Sequence, residues 1–210
     1  MERATVLRTM IISVAAGCAL LSLSVQAQPG MPDAEQLLVP FSAQEWQEWK
    51  IGSSVKKPGL TMVEYIPKAQ TIENWQRMLT VQIFHNLPTP LSQFMGQMKA
   101  SFESRQPCEQ TSLRNIESMK VKGYDASLHL LICTKEKQTG KGQFTLIQGI
   151  RGRDALYVIQ RAWRGPAYAT DVVPLPQAEF KTWRAFMNAV QVCDPRVAER
   201  ACPASLKRVQ

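Results

Sequence analysis

The sequence predicts an α+β domain: a single twisted antiparallel sheet with two main amphipathic helices packed on it. Three observations lead there. Short runs between residues 60 and 163 alternate apolar and polar side chains, the period of half-buried strands. Glycine-containing turns separate those runs at hairpin distances. Two other stretches, near residues 90–104 and 176–190, repeat large apolar residues at helical spacing. The helices need an apolar surface, and the sheet is the one surface large enough.

The elements follow in chain order. Arg3 and Arg8 precede an apolar run from Met10 to Val25, and Val25-Gln26-Ala27 supplies small residues where a signal peptidase cuts. Residues 1–27 therefore read as a secretory signal peptide, cleaved after Ala27. A second reading takes Ala15-Ala16-Gly17-Cys18 as a lipobox with Cys18 as the anchor. It is less favoured, because the apolar run continues past Cys18. No other stretch approaches the roughly 20 apolar residues that span a bilayer. The mature chain is expected to be periplasmic or secreted, with no transmembrane span after cleavage. Residues 28–40, rich in Pro, Gln and Gly, predict a flexible mature N-terminus. The α+β domain is expected over residues 41–192, with a disulfide-stapled C-terminal tail over 193–210.

Gln44–Lys50 fits helix and strand alike. The preferred reading is the first arm of a hairpin that turns at Lys57-Pro58-Gly59. Met62–Ile66 follows as a strand, ended by Pro67, which disfavours a helical Ile66. Thr71 is placed to cap a short helical turn with Trp75 and Met78 on one face, Trp75 serving as a lid over the core. Leu79–Phe84 is the next strand. Thr89 as cap and Pro90 at the first helical position start a helix that runs to about Ser104. Its core face is Leu91, Phe94, Met98 and Phe102; Met95 and Met98 read as core rather than as an adaptable binding surface. Four consecutive antiparallel strands follow: Glu109–Met119, Tyr124–Cys133, Gln143–Arg151 and Ala155–Trp163. A last helix, Pro176–Val190, carries Phe180, Trp183, Met187 and Val190 on one side.

The run E-Y-I-P-K-A-Q-T-I-E-N-W-Q-R-M-L-T-V-Q, Glu64 to Gln82, together with the order of elements, resembles uncharacterised exported bacterial proteins of the PsbP/MOG1-like α/β/α class. The resemblance implies an α/β/α sandwich and partner binding without catalysis. It assigns no role to any residue.

The 210 residues carry a net charge of +8, with the positive charges spread along the chain. That balance permits an anionic partner without requiring one. Past the leader stand Cys108, Cys133, Cys193 and Cys202, an even number in an exported chain. Of three pairings, Cys108–Cys133 and Cys193–Cys202 are favoured, the first bracketing a hairpin and the second closing a short loop. No CxxC is present, and no metal site or cofactor is expected.

Only His85 and His129 suit acid–base chemistry near neutrality. No nucleophile elbow, zinc helix, phosphate loop or dinucleotide fingerprint occurs. Lys137–Gly142 superficially resembles a phosphate loop, and a hairpin turn explains it better. One basic and aromatic cluster remains, of which Arg151, Arg161, Trp163 and Arg164 are the candidate binding residues. The functional expectation is a non-catalytic exported binding or assembly domain acting on an envelope component, either a protein or an anionic lipid or glycan. Nucleic acid is not expected as a partner. The alternative is an envelope hydrolase whose site includes His85 or His129.

Overall fold

The computed structural model describes residues 34–203, except 106 and 107. The leader, its cleavage at Ala27 and the lipobox at Cys18 lie outside the described residues.

The main body is a seven-stranded antiparallel sheet. Its strands are β2 (Trp49–Lys57), β3 (Leu60–Pro67), β4 (Arg77–His85), β5 (Thr111–Val121), β6 (Tyr124–Cys133), β7 (Lys141–Arg151) and β8 (Ala155–Pro166), in the order β2-β3-β4-β8-β7-β6-β5. Hairpins explain most of that order. The β2–β3 turn holds Gly59 at φ +80°, and the β5–β6 turn holds Lys122 and Gly123 both at positive φ, as a two-residue type I′ hairpin requires. The exception is β4, which pairs with β8 after the chain has gone away and returned. The excursion between them begins with helix α2 (Leu91–Arg105).

Each face of the sheet has its own cover. Helix α3 (Gln177–Ala189) lays Trp183, Phe186 and Met187 over Tyr65, Leu79, Leu128, Phe144, Leu146 and Ile159. On the other face α2 sets Leu91 and Met95 against Leu113, Leu131, Ile147, Leu156 and Val158. Central strands β7 and β8 are buried on both faces, which is why their sequences read as near-continuous apolar runs. Gly149 permits the close approach of α2: a side chain there would collide with Leu91 Cδ1 at 2.6 Å.

Three departures from the sequence expectations have physical causes. First, Gln44–Glu48 is helix. Helix α1 (Ala43–Glu48) is held by a capping box in which the Glu45 N–H donates to Ser42 Oγ and the Ser42 N–H donates to the Glu45 carboxylate. The hairpin begins only at Trp49. Second, no helix forms after Thr71. The Asn74 N–H donates to Thr71 Oγ1, but the next amides, of Gln76 and Arg77, donate to Gln70 Oε1 instead. Trp75 and Met78 still meet, beside Ile66 and Ala162, and Trp75 is buried there.

Third, the expected flexible segment 28–40 contains ordered chain. Strand β1 (Gln36–Leu38) pairs with β9 (Gln191–Cys193) as a separate two-stranded ribbon, and Leu37, Leu38 and Val39 are buried. The reading of a single sheet is thereby corrected to one large sheet plus a ribbon. The C-terminal tail, expected to start at 193, starts with that residue in the ribbon. The two disulfides are Cys108–Cys133 and Cys193–Cys202, the favoured pairing.

A charged clasp holds the N-terminal segment. The Arg153 and Asp154 amides donate to the Glu35 carboxylate at 2.6 and 2.7 Å, and the Glu35 N–H donates back to Asp154 Oδ2. Arg196 bridges Asp154 and Asp194. Burial pushes the Asp154 carboxyl up, but hydrogen bonds from Arg196 and the Glu35 amide outweigh it and hold the group below its ordinary value. Arg196 likewise lowers Asp194, against the opposing effect of burial. A carboxyl with a depressed folded-state pKa contributes stability that is present above its unfolded pKa of about 3.9 and is lost as pH falls through the folded value. The urea midpoint should therefore fall steeply below about pH 4, and Asp154→Asn should flatten that fall. An unchanged acid limb in the variant would show that the clasp does not couple to folding.

Candidate functional site

Between α2 and the outer strands β5 and β6 lies a cleft of about 580 Å³. That lies within the ~300–1,000 Å³ range of small-molecule sites. Pairing explains how it is built. On β6, Asp125, Ser127 and His129 alternate with Ala126 and Leu128, so the three polar residues share the α2 face. Register then sets Arg151 opposite Asp125, Gly149 opposite Ser127 and Asn115 opposite His129. Arg151 thus stands at the β7 end, beside the β7–β8 turn. Helix α2 closes the other side with Leu91, Met95, Gly96 and Lys99.

Most of the polar groups in the cleft already have partners. His129 Nε2 and Ser127 Oγ are 2.9 Å apart, and both residues are more than nine-tenths buried. Burial lowers the His129 pKa, so the imidazole is neutral at pH 7. Asn115 Nδ2 donates to Ser118 Oγ, and Lys120 donates to Asp125 Oδ1 at 2.6 Å. Arg151 differs: Nη1 of its guanidinium is shielded from solvent and has no hydrogen-bond partner. Among the described residues no group of three or more His, Cys, Asp or Glu could hold a metal ion.

Of the other expected binding residues, Arg161 and Trp163 are buried and Arg164 is half-buried. Arg161 is 8% exposed, paired with Glu45 at 2.8 Å, and its Cζ lies 4.4 Å from the Phe186 ring centroid under α3. Trp163 is buried on the same face, edge-on to Tyr168. Arg164 points to the opposite face, where it stacks on Trp75 and donates to the carbonyls of Glu73 and Trp75. Arg161 and Trp163 are thus engaged in packing under α3, and Arg164 in holding the loop before β4. Their nearness in sequence does not become a patch, because 161 and 164 face opposite sides of one strand. His85 lies away from the cleft, exposed and hydrogen-bonded to Thr61 Oγ1.

Sequence reading did not assemble the cleft. The signal it held was the alternation Asp125-x-Ser127-x-His129, three polar side chains on one face of a strand with an apolar opposite face.

No family model matches this chain, and no curated protein matches it. Among solved structures it is similar to LpqN, described as involved in cell envelope biogenesis of Mycobacterium tuberculosis, at 11% identity and a TM-score of 0.38, over 78% of this chain and 87% of that one.

Proposed function

We propose that this chain is an exported, non-catalytic binding domain for an envelope component, and that the cleft under α2 is its ligand seat. The observation that carries the reading is the Arg151 guanidinium, which lines the cleft with one nitrogen buried and unpartnered. Among the described residues no group hydrogen-bonds or ion-pairs with that guanidinium, so its remaining donors are left for a ligand acceptor. Two disulfides fit delivery to an oxidising compartment. The described residues contain no helix long and apolar enough to cross a membrane. A helix on each face of the large sheet also fits the α/β/α arrangement implied by the PsbP/MOG1-like resemblance. On this reading residues 1–27 are the leader.

Gly96 offers a direct test. It lines the cleft, and a Cβ added there meets no atom within 4 Å outside the helix's own backbone. Gly96→Phe should fill the mouth without unfolding the helix, since glycine is the poorer helix former by a few tenths of a kcal/mol. Native mass spectrometry of protein purified from its envelope extract should show a bound small molecule in the wild type. The adduct should be absent in Gly96→Phe at unchanged thermal stability. Identical adducts in both proteins would remove the cleft from consideration.

The contact between Ser127 Oγ and His129 Nε2 favours a second reading, an envelope hydrolase with a serine nucleophile and histidine base. Against it, no carboxylate among the described residues is hydrogen-bonded to the other ring nitrogen of His129. Ester turnover that disappears in Ser127→Ala, with folding intact, would put this reading first.

A further inference from the structure

We infer that the cleft takes an anionic amphiphile, a molecule with a carboxylate or phosphate head and an apolar chain; this rests on the cleft being the ligand seat. Two observations divide the cleft into a charged and an apolar part.

The first is charge. Three charged residues line the cleft: Arg151, Lys99 and Asp125. Asp125 stands beside Arg151 in register yet gives its carboxylate to Lys120 at 2.6 Å. Lys99 has only an exposed i,i+4 contact with Glu103 at 3.8 Å. Among the described residues no acidic group pairs with Arg151, and its Nη1 has no hydrogen-bond partner. The unmet demand is therefore for an acceptor, and a planar guanidinium matches a carboxylate or phosphate in two-point contact.

The second is what surrounds that charge. The neutral polar groups of the floor are engaged in pairs, Ser127 with His129 and Asn115 with Ser118. They do not require hydroxyls from a ligand. The remaining wall is apolar: Leu91 and Met95 from α2, and Leu113 from β5. Methionine side chains adapt to flexible apolar chains. An anionic head at Arg151, near the turn that ends β7, leaves its chain to run along this wall.

The test uses the mature chain with both disulfides intact and three probes of one chain length: dodecanoate, dodecyl phosphate and dodecanol, each below its micelle concentration. Titration calorimetry should show both anions binding the wild type at least tenfold more tightly than the alcohol. Arg151→Met should abolish the difference, and Arg151→Lys should restore part of it. The preference of dodecanoate over dodecyl phosphate, or the reverse, identifies the head group. Equal binding of all three probes overturns the charge assignment and leaves the cleft as seat. No binding of any probe, while Gly96→Phe still removes the native adduct, overturns the amphiphile and leaves the cleft as seat. The wild-type comparison alone decides the matter should Arg151→Met fold poorly.

Discussion

Reducing both disulfides is expected to cost this domain about 6 kcal/mol. The bridges join residues separated by 25 and 9 positions. The chain-entropy relation assigns about 3.5 kcal/mol to a loop of the first size and about 2.7 kcal/mol to the second. The two bridges share no residue, so their effects should add. Cys133 and Cys193 are buried among apolar side chains, where a reduced thiol packs well, so the loss arises mainly in the unfolded chain. Domains of this size are stable by about 5–15 kcal/mol in total, so the reduced protein should be marginal. Its Tm should fall by about 12–25 °C, at roughly 2–4 °C per kcal/mol. Urea unfolding with and without a phosphine reductant measures the difference, and Cys108→Ala/Cys133→Ala should account for the larger part. A loss under about 1 kcal/mol would show that the reduced fold stands alone, and the structural argument for an oxidising compartment would go with it. Intact mass after alkylation of natively exported protein should show no free thiol; four alkylated cysteines would have the same consequence.

The strands were legible because their information is local. The alternation in Leu79–Phe84 and in Tyr124–Cys133 survives in β4 and β6, and Gly59 and Gly123 mark turns that only a positive φ can make. Helix α2 was legible from its start signal and spacing, and α3 from its apolar side. What failed was long-range. Glu35 looks like any acidic residue near a chain end. Its partners at 153 and 154 are more than a hundred positions away, and only the completed sheet brings them close. The Thr71 turn failed because Gln70 and Arg164 satisfy backbone groups that a helix would otherwise satisfy itself. The cleft was half legible. The shared face of Ser127 and His129 follows from a period of two, but Arg151 joins them only through the β6–β7 register. The sequence marks the place of the turn between those strands, at Lys137–Gly142, but not the residue-by-residue pairing that its geometry sets.

Arg161 separates packing from charge in the α3 core. Arg161→Ala should cost about 3 kcal/mol, within the 2–5 kcal/mol expected when a large core side chain becomes alanine, and should lower Tm by about 6–12 °C. The side chain fills the space between β8 and the rings of Trp183 and Phe186, with Cζ at 5.9 and 4.4 Å from the two centroids. Removing it opens a cavity and deletes a cation–π contact worth about 0.5–2 kcal/mol. The charge itself contributes far less. Arg161 Nη1 is buried without a hydrogen-bond partner, and a desolvated guanidinium costs several kcal/mol that one ion pair only offsets. Its partner Glu45 keeps 23% of its side chain exposed and accepts the Ser42 N–H, so it stays solvated and bonded when the arginine leaves. Arg161→Met keeps the stem and loses the orphan nitrogen, and should fall within about 1 kcal/mol of the wild type. Thermal and urea unfolding of the two variants decide between the terms. A methionine variant as unstable as the alanine one would make the ion pair dominant. If both matched the wild type, Arg161 would be free of the core after all, and its role as a binding residue would reopen.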